Sequence, residues 1–235
     1  MSSSVARGLA VTTAGADGRA VLFDWDDTLC GAVPHRYETI ARVLERLGER
    51  RTIVEVHDAW VRADDPVVDR MANGFWLRLQ RELGLTGRDD AVEALIEAFA
   101  ERERERRFEI YTDVHAALDH LDAAGWRVGV VSNNVEAPER IREVGLDGRF
   151  AAVVTPRDVG GRGKPDPVIF HAALSRLRVA PGNCLYVGDT YAVDAVGARA
   201  AGLRPLLIDR LGIGAPGDCD VLATLAELPR WLPTG

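Results

Sequence analysis

Short apolar runs alternate with longer amphipathic stretches along most of this chain, and this alternation constrains the fold more than any other feature. The amphipathic stretches repeat apolar residues every three or four positions, as helices do, whereas the short runs match buried strands. Such alternation predicts an α/β fold, with a parallel sheet covered by helices on both faces. The predicted strands lie at 20–23, 127–131, 151–155, 184–187, 205–208 and, more weakly, 219–222. The predicted helices lie at about 112–124, 138–145, 167–178, 191–202 and 223–231.

The interval 31–110 departs from this alternation. It shows helical periodicity throughout and no clear strand. We therefore predict an inserted all-helical cap domain over 31–110, a core formed by 19–30 together with 111–235, and a flexible N-terminal tail over 1–18. Because the insertion directly follows the first strand, we expect the cap to lie over the site and to close on substrate.

Carboxylates crowd the end of the first predicted strand. Asp24 and Asp26 follow the apolar run, and Asp27 stands beside them. Like charges raise each other's pKa and burial raises it further, so such a cluster indicates a cation site or a reaction that needs it. Taken alone, the pattern also fits a solvated turn. Ligands of parallel sheets bind beyond the carboxyl ends of the strands, where this chain also carries Ser132, Thr155 and Asp189.

Lysine usage is equally uneven. Of 29 Lys and Arg residues, Lys164 is the single lysine, which leaves 28 arginines. A lone ammonium suggests a site that a planar guanidinium would not fit, although an ordinary loop lysine is the alternative. Gly161 and Gly163 permit unusual backbone angles, while Pro165 restricts Lys164 to an extended conformation. The segment is therefore suited to presenting that side chain.

Bulk properties narrow the possible partners. The net charge of −7 argues against nucleic acid or an anionic membrane as a main partner. Three widely spaced cysteines indicate a reducing cytoplasm and no structural metal site. No apolar stretch approaches the roughly 18 residues of a transmembrane helix. The N-terminus is more typical of a loose tail than of a signal peptide.

Four motifs in a fixed order give the chain a family resemblance. They are DWDDT at 24–28, VVSN at 130–133, GKPDP at 163–167 and GDTYAVD at 188–194. From about residue 19 to the C-terminus, the chain resembles the haloacid dehalogenase-like superfamily, in particular its phosphatases with a helical cap inserted after the first core strand (the C1 type). The resemblance implies a Rossmann-like core, Mg²⁺ dependence and an aspartyl-phosphate intermediate.

The resemblance also implies roles for the acidic residues. Asp24 would attack phosphorus and bind the metal with its other oxygen. Asp26 would bind the metal through its backbone carbonyl and would protonate the leaving group, then activate water, with its side chain. Asp189 would be the third metal ligand, and Asp194 would orient a metal-bound water or Lys164. Asp189 and Asp194 could instead cap a helix.

The remaining motif residues would bind phosphate. Ser132 would donate to a phosphate oxygen, unless it caps a helix, and Asn133 would donate to the phosphate or the leaving group. Lys164 would neutralise the transferring phosphoryl group and steady Asp24. Asp27 stands where the family often has glycine, and we expect only a local effect. Trp25 is expected to point away from phosphate and has no role.

The predicted function is hydrolysis of a small phosphorylated metabolite by a cytoplasmic monomer or homodimer. A phosphomutase of sugar phosphates and a non-catalytic regulatory protein on the same fold remain alternatives. Dehalogenation is disfavoured by Asp26, and phosphonate hydrolysis by the lack of a lysine in the cap. The substrate could be a sugar phosphate, phosphoglycolate or a nucleotide. Candidates for recognising it are His35, Arg36, Asn73, Trp76 and Arg78.

Overall fold

A parallel sheet is the centre of the computed structural model, which describes residues 18–63, 73–214 and 217–232, without the side chain of residue 73. The strands are β1 (Ala20–Phe23), β2 (Cys30–Val33), β3 (Arg107–Ile110), β4 (Arg127–Val131), β5 (Ala152–Val154), β6 (Cys184–Gly188), β7 (Arg204–Ile208) and β8 (Asp220–Leu222). In the described residues, six of them form a parallel sheet in the order β5-β4-β1-β6-β7-β8. The predicted α/β fold with a Rossmann-like sheet is confirmed.

Helices surround this sheet and fill the insertion after β1. They are α1 (Arg36–Arg46), α2 (Ile53–Ala63), α3 (Asn73–Glu82), α4 (Asp89–Glu105), α5 (Val114–Ala123), α6 (Ala137–Glu143), α7 (Pro167–Leu177) and α8 (Val196–Ala200). Two predicted helices differ in detail. The stretch 191–202 begins with the π-helical turn Tyr191–Ala195, and 223–231 is the 3₁₀ segment Leu225–Trp231, which contains Pro229. Proline cannot donate an α-helical hydrogen bond, which explains the second difference.

The central strand β1 is apolar on both faces because both faces are covered. Val21 and Phe23 pack into one hydrophobic cluster with α5, whereas Ala20 and Leu22 pack into another with α7. All four residues are fully buried. Side chains alternate across a strand, so a strand between two helical layers becomes a continuous apolar run. This burial fixes the place where β1 ends and the polar residues begin.

The helices α1–α4 have a hydrophobic cluster of their own. It includes stacked and edge-on aromatic contacts, with Trp60 against Phe75 and Phe99. This cluster agrees with a cap over 31–110, although the exact domain division and the tail over 1–18 stay predictions. Residues 1–17 lie outside the described part of the chain. No described helix combines the length and the apolarity that crossing a membrane requires.

The expectation that 31–110 contains no strand is wrong. Strands β2 and β3 pair antiparallel, with Cys30 opposite Ile110 and Val33 opposite Arg107. Each strand has four residues, and β3 follows directly on the charged end of α4. The pairing arises where the chain leaves and re-enters the core, so it depends on residues that are far apart in sequence. Local periodicity carries no signal for such a pair.

Candidate active site

The predicted site residues meet at one cavity beyond the carboxyl ends of β1, β4 and β6. The cavity has a volume of about 820 Å³, and residues of α1, α2 and α4 also line it. This is where parallel sheets bind ligands, because polar groups at neighbouring strand ends converge there. The predicted residues that line it are Asp24, Asp26, Ser132, Asn133, Lys164, Asp189 and Asp194.

Three carboxylates form a potential metal site. Single oxygens of Asp24, Asp189 and Asp194 lie within 4.8 Å of one another. Burial raises the pKa of Asp24 to about 7 despite Lys164 beside it, and burial together with Asp194 raises the pKa of Asp189 well above its usual value. Oxygen donors whose charges oppose one another at this distance fit a hard divalent cation, which would stabilise their ionised forms.

Asp24 is held in place by its backbone. It follows β1, and its N–H donates to the carbonyl of Val187 in β6 at 2.8 Å. Its side chain is nearly buried but reaches the cavity. Asp26 also lines the cavity, and its carboxylate accepts from Asn134 Nδ2 at 3.4 Å. Sequence reasoning missed Asn134, although it directly follows the predicted Asn133.

Lys164 has an acceptor for each of its three ammonium protons. Its Nζ lies 2.6 Å from Asp24 Oδ1, 2.7 Å from Asp194 Oδ1 and 3.0 Å from Tyr186 Oη. Burial alone would lower the pKa of this lysine, but the carboxylates of Asp194 and Asp24 outweigh burial and raise it. The ammonium group of Lys164 is therefore a buried cation that is held in one orientation. We call Lys164, Tyr186 and Asp194 the lysine cluster.

Tyr186 is a site residue that the sequence did not reveal. It lies in β6, is fully buried, and its hydroxyl donates to Asp194 Oδ1 at 2.7 Å. Asp194 Oδ2 also accepts the backbone N–H of Thr190 at 2.9 Å. The carboxylate therefore binds both Lys164 and the backbone just after β6. A Cβ at Gly188 would lie 2.4 Å from the Asp194 carboxyl carbon, which explains the glycine there. The hydroxyl of a tyrosine within a buried strand was the available signal.

Asn133 fixes the lysine loop. Its Oδ1 accepts from the Lys164 N–H at 2.6 Å, and its Nδ2 donates to the Lys164 carbonyl at 2.9 Å. A Cβ at Gly163 would lie 2.5 Å from Asn133 Oδ1, so this close approach requires glycine. Both ends of the amide are therefore engaged with backbone. The predicted contact of Asn133 with phosphate stays a prediction, and its structural contact is with the loop.

Ser132 is available to donate. It is buried at the end of β4, and its Oγ accepts the N–H of Asn134 at 3.1 Å, which leaves its own proton free for a ligand. Helix α6 begins at Ala137, so Ser132 is not its N-cap residue. Trp25 is fully buried in the hydrophobic cluster under β1, as expected for a residue without a catalytic contact.

Asp27 has more than a local effect, because it joins the loop after β1 to α1. Its carboxylate pairs with Arg36 Nη2 and lies 3.4 Å from His35 Nε2. Burial would raise the pKa of Asp27, but Arg36 and His35 together lower it to about 2. Its φ of 58° lies in the left-handed region, where glycine is usual and aspartate is tolerated. We call Asp27, His35 and Arg36 the Asp27 bridge.

The other recognition candidates divide between the cavity and the structure around it. His35, Arg36 and Trp76 line the cavity. Arg78 instead donates from Nε to the Ala63 carbonyl at 2.8 Å. The side chain of Asn73 lies outside the described residues.

Arg210 and Asp113 form a charged anchor for the loop after β1. Arg210 donates from Nε and Nη2 to the Thr28 carbonyl at 3.0 and 2.7 Å. The same guanidinium contacts both carboxylate oxygens of Asp113 at 3.1 Å. Thr28 and Arg210 are 182 residues apart, so no local pattern indicates this contact.

Known proteins resemble this chain over most of its length. A family model described as haloacid dehalogenase-like hydrolase matches residues 19–202. The chain is 30% identical to a phosphatase of Mycobacterium tuberculosis over 222 residues, covering 89% of this chain and 95% of that protein. It is 31% identical to a phosphoglycolate phosphatase of Cereibacter sphaeroides over 193 residues, covering 78% and 82%.

Two further matches are more limited: one covers only part of the other protein, and the other shows a shared fold. A phosphoserine phosphatase of Thermus thermophilus is 35% identical over 158 residues, but the alignment spans 64% of this chain and only 62% of that protein. A HAD family hydrolase of Deinococcus radiodurans, whose structure holds phosphate and sodium, superposes with a TM-score of 0.67 at 23% identity. That match covers 91% of this chain and 94% of the other.

Proposed function

Since the chain belongs to the haloacid dehalogenase-like hydrolase family and is a phosphatase, we propose that it hydrolyses a small phosphomonoester with Mg²⁺, through an aspartyl-phosphate on Asp24. One observation carries this proposal above the others. A buried carboxylate faces a large cavity, lies 2.6 Å from a buried ammonium and belongs to a cluster of three carboxylates. A nucleophile, charge neutralisation and metal ligands are the parts that attack on an anionic phosphate ester requires.

The residues divide the reaction between them. Asp24 attacks phosphorus while Ser132 donates to a phosphoryl oxygen and the ammonium of Lys164, paired with Asp24, supplies positive charge beside the phosphoryl group. The protonated carboxyl group of Asp26 gives its proton to the leaving oxygen, and the carboxylate that results takes one from the water that hydrolyses the aspartyl-phosphate. Such acid–base assistance is worth roughly 10²–10⁴ in rate. Asp194 and Tyr186 keep the ammonium of Lys164 directed at Asp24.

Asp24, Asp189 and the backbone carbonyl of Asp26 are the proposed metal ligands. Mg²⁺ prefers oxygen donors and would neutralise charge on the phosphoryl group during transfer. The carboxylate of Asp194 also belongs to the cluster, but it already accepts from Lys164, Tyr186 and Thr190. We therefore propose that Asp194 orients the lysine rather than binding the metal directly.

The proposal extends to the setting of the reaction. Residues 31–110 would act as the cap, with 19–30 and 111–235 as the catalytic core, because residues of α1, α2 and α4 line the same cavity as the strand ends. A cytoplasmic location is supported by the three free cysteines, two of which are buried. The substrate would be small enough to be enclosed by such a cap.

Release of inorganic phosphate tests this function directly. The purified protein is incubated with a panel of small phosphomonoesters, with Mg²⁺ or with a chelator, and Asp24→Asn serves as the control. We expect release that requires Mg²⁺ and is lost in the variant. Interconversion of sugar phosphates without release would show a mutase, and the absence of both reactions would favour a regulatory role. Release that persists in Asp24→Asn would remove the nucleophile assignment.

A further inference from the structure

The guanidinium of Arg36 is held rigidly at the wall of the cavity beyond the strand ends. Its Nη2 pairs with Asp27, and its Cζ lies 5.5 Å from the ring centre of Tyr37 and 6.0 Å from that of Trp60. The side chain is only 26% exposed. Stacking on aromatic faces and pairing with a carboxylate both restrict an arginine. Arg36 is therefore a cation with a fixed orientation.

Among the residues that the structure describes, Arg36 uses little of its hydrogen-bonding capacity. A guanidinium has five N–H donors, and within the described residues the one hydrogen bond from Arg36 is that from Nη2 to Asp27. Arg102, which also lines the cavity, differs in this respect. It pairs with Glu103 at 2.6 Å and donates to the Pro34 carbonyl at 2.8 Å.

Arg36 belongs to a different element of the fold from the groups proposed to bind phosphate. Ser132 follows β4 and Lys164 lies in the loop before α7, whereas Arg36 is the first residue of α1. All three line the same cavity, and the carboxylates of Asp26 and Asp189 are near enough to interact with Arg36 electrostatically. An ester whose phosphate lies at Ser132 and Lys164 therefore shares its cavity with the guanidinium of Arg36. A planar guanidinium binds a carboxylate in a two-point contact better than any neutral group.

We propose that Arg36, oriented by Asp27, binds a carboxylate on the alcohol part of the substrate, so that the enzyme selects phosphate esters of small hydroxy acids. The proposal rests on the phosphatase function, since it concerns the leaving group of that reaction. Arg36 contacts the substrate directly, and Asp27 is a positioning residue that acts through it. Removing the charged partner of a bound carboxylate leaves that carboxylate desolvated and unpaired, which weakens binding strongly.

A pair of esters of matched size isolates this contact. Phosphoglycolate carries a carboxylate where ethyl phosphate carries a methyl group, and both present the same phosphoryl group. We expect Arg36→Met to lower kcat/KM for phosphoglycolate by at least about 30-fold, the effect of one charged hydrogen bond, because the two-point contact is lost, with little change for ethyl phosphate. Arg36→Lys should recover part of the selectivity, since it keeps the charge but loses the two-point geometry. Asp27→Asn should raise KM for phosphoglycolate more than it lowers kcat.

Binding provides a readout that does not depend on turnover. Calorimetric titration of both esters into Asp24→Asn, with and without Arg36→Met and in the presence of Mg²⁺, should show the same selective loss of affinity for phosphoglycolate. An equal loss for both esters would place Arg36 on the phosphoryl group and overturn the proposal, as would no loss for either. If the protein with Asp24 intact released phosphate from both esters without preference, the proposal on Arg36 would fail and the phosphatase function would stand. If it bound phosphoglycolate selectively but released no phosphate, the phosphatase function would fail and the carboxylate contact would stand.

Discussion

The lysine cluster and the Asp27 bridge are charged contacts at the same cavity, but they differ in how many of their hydrogen-bonding atoms are occupied. In the lysine cluster, the ammonium has three acceptors, and Lys164 and Tyr186 are almost completely buried. In the Asp27 bridge, the guanidinium makes one described hydrogen bond and remains partly exposed to the cavity.

This difference separates groups that must keep one geometry from groups that must receive a ligand. A buried charge is tolerated only when it is paired and hydrogen-bonded, and a fully paired charge has one orientation. The lysine cluster satisfies this condition without a ligand. The Asp27 bridge fixes the guanidinium with one pair and two aromatic contacts while leaving donors for a substrate. The two regions should therefore respond differently to conservative substitutions.

The largest expected effect is on the lysine cluster. Lys164→Arg keeps the charge, but a planar guanidinium cannot satisfy three acceptors arranged around one nitrogen, so kcat should fall about 10²–10³-fold. The matched control is Arg162→Lys, the reverse exchange on the same loop at an exposed position, which should leave kcat unchanged. Phosphate release from one ester measures both. Near-normal turnover in Lys164→Arg would mean that the tight pairing of this region has no catalytic consequence.

A smaller effect is expected from the hydroxyl that supports the lysine. Tyr186→Phe keeps the ring packed on Phe170, at 5.0 Å between ring centres, and removes only the oxygen. We expect a loss of about 1–2 kcal/mol in the free energy of unfolding, because Lys164 and Asp194 each lose a buried partner. The lysine should also be less well directed, so kcat should fall about tenfold with little change in KM.

Denaturant unfolding and steady-state kinetics test this pair of effects. Tyr191→Phe is the control for stability, since the Tyr191 hydroxyl bonds to Asp218 at an exposed position. A stability loss in Tyr186→Phe without any fall in kcat would reduce the hydroxyl to a structural role.

The contact of Arg210 with Asp113 and the Thr28 carbonyl should make the free energy of unfolding depend on pH. Burial would raise the pKa of Asp113, but hydrogen bonds from Arg210, Thr224 and the Leu225 N–H outweigh burial and lower it. A lowered pKa contributes stability above the pKa of the unfolded state, about 3.9, and this stability is lost as the pH falls through the lower folded value. Asp113→Asn should therefore cost about 1 kcal/mol at pH 7, and the cost should shrink as the pH falls below the unfolded pKa.

Unfolding of Asp113→Asn and the wild type from pH 7 to pH 2.5 or so checks this dependence. Asp119→Asn on α5 is the control, because Asp119 pairs with Arg149 at an exposed position and should change little at any pH. A constant difference across the range would show that the charge of Asp113 is not what stabilises the loop.

The smallest effect separates backbone strain from pairing in the Asp27 bridge. Both Asp27→Asn and Asp27→Gly remove the charge that holds Arg36, but only glycine adopts a φ of 58° without steric cost. We expect the glycine variant to be more stable than the asparagine variant by about 0.5–1 kcal/mol. Urea unfolding of the two proteins provides the measurement. If the asparagine variant proved the more stable, the asparagine side chain would still contact His35 or Arg36 and the charge of Asp27 would not be essential to the bridge.

The sequence predicted the central strands and the residues at their ends because both have local signals. Burial on two faces produces short apolar runs such as 20–23, and the polar residue that ends each run marks the edge of the sheet. The same logic located Asp24 and Ser132, and the single lysine located Lys164. The pair β2 and β3 had no such signal, since its partners are joined only by the return of the chain from α4 to the core.

What the sequence determined by itself is therefore the chemistry at the strand ends: which acids, which hydroxyl and which lysine meet at one edge of a parallel sheet. What only the tertiary structure decided is how these groups are held and what faces them. Tyr186 under Lys164, Asn133 on the lysine loop, Arg210 behind Thr28 and Arg36 on Asp27 are contacts between separate elements. The physical reason is that periodicity reports which side of a strand or helix is buried, whereas a hydrogen bond between elements depends on distances that packing alone sets.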